Sequence, residues 1–314
     1  MRKAEGKTKE ARYQVFLPMK TITRTIAIGC FVCFLGAAPV LEDESEIIKT
    51  LKGKGAEITE KKGFATALSL DDGSKWTATE FKQAGQLTHI KNLTLSKCLD
   101  DEMLGHLCTL SELEMLQTNL AEITDDGLKR LVPMKKLQIV KFFHPAKSFS
   151  GAGLAVLNVL RNLESLTIAG SLSFGDEGMA AVAKLTRLKQ LRTWHAGQTI
   201  EGIKKLKELK SLTSLTLGQR LTYQPPACVT DETIGILVEL KLLEFLQLEE
   251  ARLTFSALSQ LKQLAQLKKL NLEGIDVPEA DVERLRKELP KVEITWKKPN
   301  EVFQKRIHAL FDKP

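Results

Sequence analysis

The side chains able to act as nucleophiles, bases or metal ligands are few and scattered. Five histidines, His89, His106, His144, His195 and His308, are spread along the chain, and no H-E-x-x-H places two imidazoles on one helix face around a zinc ion. Cys30 and Cys33 have C-x-x-C spacing but lie in an apolar leader, and Cys98, Cys108 and Cys228 are an odd set without metal-ligand spacing. There is no G-x-S-x-G elbow and no phosphate-cradling glycine loop. Gly151, Gly153, Gly175 and Gly178 recur in phase with a longer pattern, so turns into helices account for them. A carboxylate pair such as Glu249 and Glu273 could in principle act on a glycan, but no motif supports it. The reading is therefore non-catalytic: no catalytic residue, no cofactor and no metal. The histidines read as ordinary surface residues, with His144 and His195 two repeats apart.

Charge separates the chain into two parts. The net charge is +7, which invites a nucleic-acid reading, but residues 1–40 hold seven basic residues (Arg2, Lys3, Lys7, Lys9, Arg12, Lys20, Arg24) against Glu5 and Glu10. The remainder is near neutral and lacks the excess that drives phosphate binding, so no nucleic-acid partner is expected. The basic leader runs into an apolar stretch at residues 26–41 and then into Glu42-Asp43-Glu44-Ser45-Glu46. A run of about 16 residues falls short of the roughly 20 a spanning helix needs and suits an export signal. Gly36-Ala37-Ala38 offers a cleavage site, after Ala37 because Pro39 obstructs the next bond, and Met19 offers a second start. The expected location is exported, whether periplasmic, cell-surface or secreted, and membrane contact is expected only if the leader stays attached.

The remaining sequence is periodic. An apolar pattern at positions 1, 4 and 6 recurs as Ile90/Leu93/Leu95, Leu113/Leu116/Thr118, Leu137/Val140/Phe142, Leu163/Leu166/Ile168, Leu188/Leu191/Thr193, Leu212/Leu215/Leu217, Leu243/Leu246/Leu248 and Leu267/Leu270/Leu272. Ala65/Leu68/Leu70 begins the series and Leu289/Val292/Ile294 closes it. Between these strands stand "ITDDGLKRL", "FSGAGLAVL", "FGDEGMAAV", "VTDETIGIL" and "LTFSALSQL". Each gives a buried anchor, a capping Thr, Ser or Gly, and apolar residues three apart; most add acidic residues suited to a helix start. In "QTIEGIKKL" the anchor slot falls on Gln198, and a local shift is expected to let Ile200 take it. One gap, between Leu212 and Leu243, is longer, and residues 222–227 with Pro225-Pro226 are expected to project as a loop.

Each unit is thus a short strand followed by a short helix, neither able to bury its apolar face alone. Residues 64–296 resemble the leucine-rich-repeat superfamily, in the helix-containing subtype similar to ribonuclease inhibitor and to the repeat halves of F-box proteins. The "ITDDGL" phrasing is most like repeats of exported bacterial proteins. The resemblance implies an α/β fold: a right-handed solenoid, or horseshoe, with parallel strands on the concave face, helices on the convex face, and partner binding as the usual role. The Asn or Cys that the family commonly carries after the third strand Leu is mostly missing, with only Asn119 near it. The organisation expected is an export segment at 1–40, an N-terminal cap at 41–64, the repeats at 65–296 and a capping helix at 297–314. Residues 44–52 read as a helix and "AEITEKKGFATALSL" as two strands turning at 61–63; Asn300 should cap a helix through Phe311.

Alternation along each strand sends the residues between the Leu positions to the concave face. The first such column reads Asn92, Met115, Ile139, Ser165, Gln190, Ser214, Phe245, Lys269. The middle one reads Thr94, Gln117, Lys141, Thr167, Arg192, Thr216, Gln247, Asn271, and the third Ser96, Asn119, Phe143, Ala169, Trp194, Gly218, Glu249, Glu273. Most are small and polar, as a solvated sheet requires. Met115, Ile139, Phe143, Trp194 and Phe245 depart from that, beside Lys141 and Arg192. These seven are the candidate partner site, because aromatic residues with Arg are typical anchors of interfaces. The competing reading packs Phe143 and Trp194 locally under loops. Glu249, Glu250 and Glu273 read as an acidic end, facing either a basic partner or solvent. The partner expected is a protein or peptide, or a glycan, bound by a monomer. A ubiquitin-ligase recognition subunit is the alternative, weakened by the lack of a helical adaptor module before the repeats.

Overall fold

The computed structural model describes residues 43–218 and 227–312. The export segment and nearly all of the expected loop at 222–227 lie outside them. No described helix is long and apolar enough to cross a membrane.

One sheet holds every strand in chain order: β1 (Glu57–Lys61), β2 (Phe64–Leu70), β3 (Asn92–Ser96), β4 (Met115–Asn119), β5 (Ile139–Phe143), β6 (Ser165–Ala169), β7 (Gln190–Trp194), β8 (Ser214–Gly218), β9 (Phe245–Glu249), β10 (Lys269–Glu273) and β11 (Glu293–Lys297). Only β1 and β2 are antiparallel, turning through Lys62 and Gly63 at positive φ. From β2 onward all pairs are parallel, so every connection must cross back, and the helices make that crossing. The structure is therefore an α/β solenoid of strand-and-helix units. Leu93, Leu116, Val140, Leu166, Leu191, Leu215, Leu246 and Leu270 stand in register from strand to strand, all buried.

The residue just after β3, β4, β5, β6, β7, β9 and β10 is left-handed: Lys97, Leu120, His144, Gly170, His195, Glu250 and Gly274. In that conformation its N–H donates to the last carbonyl of the next strand, as in Leu120 to Phe143, His144 to Ala169 and Glu250 to Glu273, at 2.7–3.0 Å. This ladder turns the chain off the sheet and satisfies backbone groups there.

The acidic residues after the caps do more than favour a helix start. Asp101 accepts from both N and Oγ1 of Thr124, Asp125 from N and Oγ of Ser150, Asp176 from N and Oγ1 of Thr199, and Asp231 from N and Oγ1 of Thr254. Each carboxylate thereby holds the hydroxyl residue at or just before the next unit's helix start. Where Gly151 and Phe255 stand in the Asp position, the next unit's cap also lacks a hydroxyl, being Gly175 and Pro278; Ile200 also stands there, but the cap that follows it, Thr230, keeps its hydroxyl. Gly127 and Gly202 leave the space that Asp101 and Asp176 occupy; a Cβ at either would collide with the carboxylate.

Three expectations are corrected. Two of the connecting helices, Gly127–Leu131 and Ala152–Val159, are 3₁₀ throughout rather than α, and two more end as 3₁₀ at Lys204–Glu208 and Ser259–Gln263, which suits apolar residues spaced three apart. No shift brings Ile200 into the anchor slot: Gln198 itself is fully buried, and its Nε2 donates to Thr193 Oγ1 at 3.2 Å. The polar anchor thus meets the polar member of its own strand's Leu column. In the last unit the turn is one residue shorter, so Ile294 pairs with Leu270 and Trp296 with Leu272, displacing the 289/292/294 register. Trp296 closes the column, its Nε1 donating to Ile275 O at 2.9 Å.

A helix stands at each end of the described repeats. The helix Glu44–Gly53 buries Ile47, Ile48 and Leu51. The helix Glu301–Phe311, capped by Asn300 through Phe303 N, buries Ile307.

Candidate functional site

The face of the sheet opposite the Leu columns carries all seven candidate residues. Strand spacing of about 4.8 Å decides which can cooperate. Met115 and Ile139 are register partners on β4 and β5, and Lys141 and Phe143 follow on β5. Arg192 and Trp194 lie two strands on, and Phe245 two further. The set is therefore three groups, roughly 10 Å apart from β5 to β7 and again from β7 to β9, not one cluster. All are half-buried except Arg192, which is exposed.

Bulk alternates along this face. β5, β7 and β9 carry large side chains, whereas β6 offers Ser165, Thr167 and Ala169 and β8 offers Ser214, Thr216 and Gly218. These small residues were expected to stand in solvent. Instead Thr167 and Thr216 are each only 8% exposed and Ala169 is buried, because their larger neighbours lean over them. The columns contained this alternation, but it shows only when they are compared strand by strand.

Trp194 illustrates both readings of its role. Its ring lies against Gly218, where any Cβ would collide with it. The ring also stacks on His195, centroids 4.0 Å apart and planes 24° apart, with the Arg192 guanidinium 5.7 Å from its centroid. Local packing is thus part of what holds Trp194. The same packing fixes its orientation, as an interface anchor requires. Its Nε1 is buried without a hydrogen-bond partner.

Two polar side-chain links span from the β7 end to the β9 end across the small residues of β8. Arg192 Nη2 lies 3.7 Å from Glu249 Oε1, and His195 Nε2 3.0 Å from Glu250 Oε2. His195 is therefore built into the site rather than an ordinary surface residue. His144 fits the surface reading better: it is exposed, with Nδ1 3.0 Å from Asn119 Oδ1. Glu249 and Glu250 are not a solvated rim but buried, at 5% and 9% exposure. Burial pushes the Glu249 carboxyl above the usual carboxylate range, opposed by Arg192 and by Gln247, whose Nε2 donates to it at 2.5 Å. Glu273, its register partner on β10, is exposed and pairs with Lys297 at 2.7 Å. His195, Glu249 and Glu250 are the members of this site that sequence reasoning did not assemble; links between residues 55 or more apart leave no local signal.

Elsewhere, Cys98 and Cys228 are raised to about 11 and about 12 by burial, which leaves both as protonated thiols at neutral pH. Among the described residues no three His, Cys, Asp or Glu side chains gather as a metal site.

No family model and no curated relative matches the chain. Among solved structures it is similar to a leucine-rich-repeat protein of Leptospira interrogans, at 19% identity over 68% of each chain with a TM-score of 0.34. It is also similar to internalin C2 of Listeria monocytogenes, at 16% identity over 81% of this chain and 92% of that one with a TM-score of 0.40.

Proposed function

We propose that this protein is a non-catalytic scaffold that binds a protein or peptide through the open face of its sheet. The observation that carries the reading is the bulk pattern of that face. Rows of large side chains on β5, β7 and β9 flank small residues on β6 and β8, and the aromatic and aliphatic members serve no Leu column. Half-exposed Ile139, Phe143 and Phe245 supply apolar contact, while Lys141 and Arg192 supply charge that a peptide carboxylate could meet. Residues 1–40 are read as an export segment that brings the scaffold outside the cell as a monomer.

The test is site-specific photocrosslinking in cells of the source organism. A photoreactive residue placed at Gln117, Gln190 or Gln247 on the open face should capture one discrete partner band. The same residue at Lys184 or Lys205, on the helical side, should capture none. Equal capture from both sides, or capture from the helical side alone, would overturn the assignment.

A further inference from the structure

A second feature lies away from the open sheet face, at the N-terminal edge. The β1–β2 hairpin and the loops leading into β3 and β4 enclose a cleft of about 620 Å³, within the roughly 300–1,000 Å³ typical of small-ligand sites. Its polarity is specific. Lys91 is paired with Glu114 at 2.7 Å, and Glu112 with Lys136 at 2.5 Å, so those charges are already answered. Lys61 and Lys62, at the hairpin tip, have no ion-pair partner among the described residues, and both line the cleft. Between them and the loops stands Phe64, 44% exposed, its ring centroid 4.2 Å from that of His89. An exposed aromatic at the start of β2 adds nothing to the core, which β2 supplies through Ala65, Leu68 and Leu70. The hydroxyls of Thr88 and Ser111 complete the wall.

We propose that this cleft binds an acidic saccharide. A flat aromatic ring open to solvent matches the apolar face of a pyranose. Two unanswered ammonium groups match a carboxylate or sulfate, through charge-assisted hydrogen bonds. Flanking hydroxyls match sugar hydroxyls, which both donate and accept. The hairpin is anchored: Lys62 and Gly63 hold a fixed left-handed turn, and Lys52 pairs with Glu60 at 2.6 Å beside it. The site is separate from the open face, so its fate does not decide that of the partner-binding reading.

The experiment is calorimetric titration of the full chain with tetragalacturonate and with a heparin-derived tetrasaccharide, using maltotetraose and sodium sulfate as comparisons. At least one acidic tetrasaccharide should bind, with maltotetraose and sulfate each about tenfold weaker or more. Phe64→Ala should weaken binding about tenfold, as should Lys61→Gln combined with Lys62→Asn, the asparagine being chosen because it tolerates positive φ. Lys184→Gln, on the helical side, should change nothing, and thermal melts should show each variant folded. Failure of both acidic probes to bind overturns the proposal, as does unchanged affinity in the folded Phe64 and lysine variants. Sulfate binding as tightly as the tetrasaccharides would show a bare anion site and overturn the saccharide assignment.

Discussion

Replacing Asp176 by alanine removes both acceptors that hold Thr199, the cap of the following unit. Asp176 Oδ1 accepts from Thr199 N at 2.8 Å and Oδ2 from Thr199 Oγ1 at 2.7 Å. Hydrogen bonds to a charged group contribute about 1.5–3 kcal/mol each, and part-exposure of this pair places the sum of the two near the lower end, about 3–4 kcal/mol. The orphaned Thr199 N–H is part of that cost. A loss of this size corresponds to a fall in Tm of roughly 6–16 °C for a domain of a few hundred residues. Asp126→Ala is the control, because Asp126 only meets Lys129 at an exposed site, and it should shift Tm by about 1 °C or less. Circular dichroism melts of Asp176→Ala, Thr199→Ala and the double variant give the coupling energy, expected at about 1 kcal/mol or more. If Asp176→Ala melts like Asp126→Ala, or the coupling is zero, the carboxylates do not fasten one unit to the next and that reasoning is refuted.

Three further outcomes follow from the same structure. Glu249 has a folded pKa raised by burial, so its stabilising form is the protonated one, present below the ordinary glutamate value and lost as pH rises through the folded value. Glu249→Gln should therefore raise Tm at pH 7, and the gain should disappear toward pH 4; a gain independent of pH would contradict this. Arg252 joins Asp276 at 2.8 Å, Asp312, His308 at 3.0 Å and the Phe311 ring at 6.0 Å, tying the last helix to the repeats. Arg252→Ala should speed amide exchange in the helix Glu301–Phe311 about tenfold or more while leaving β5–β8 protected; uniform acceleration would show a global effect instead. Mass spectrometry of native protein should place the mature N-terminus between Ala38 and Leu41, and retention of Met1 or Met19 would contradict the export reading.

How much of this was legible follows from how far apart the determinants lie. Leu columns, the hairpin at 61–63 and the two end helices rest on contacts that repeat or on caps a few residues from their helix, and the sequence displays both. The last unit was misregistered because its shortened turn left another apolar residue, Val292, where the template wanted one. Gln198 was displaced in expectation because a polar anchor looks wrong alone; its partner, Thr193, makes sense of it. The aspartate fastenings join residues 23–25 apart, as in Asp101 with Thr124 and Asp125 with Ser150. At that distance they look like ordinary helix-start acids until neighbouring units are aligned. On the open face the residue types were read correctly as large or small, but the burial of Glu249, Glu250 and Thr167 depends on what leans over them. Alternation gives direction along a strand and not depth across strands.

The central claim, that partners dock on the open face, is tested most directly by titrating binders against face-specific variants. The binders would be selected on the intact chain from a displayed library of source-organism protein fragments. Arg192→Ala removes an exposed guanidinium, and an interface anchor of this type contributes about 2 kcal/mol or more. Arg192→Ala and Phe143→Ala should each weaken the selected fragment about 30-fold or more, at about 1.4 kcal/mol per factor of ten. Trp194→Ala should do the same, and because Trp194 covers Gly218 its melt must be recorded alongside. Lys184→Ala and Lys205→Ala, on the helical side, should leave the Kd unchanged. Binding that survives in folded Arg192→Ala and Phe143→Ala but is lost in the two helical-side variants would place the site on the opposite face and contradict the account.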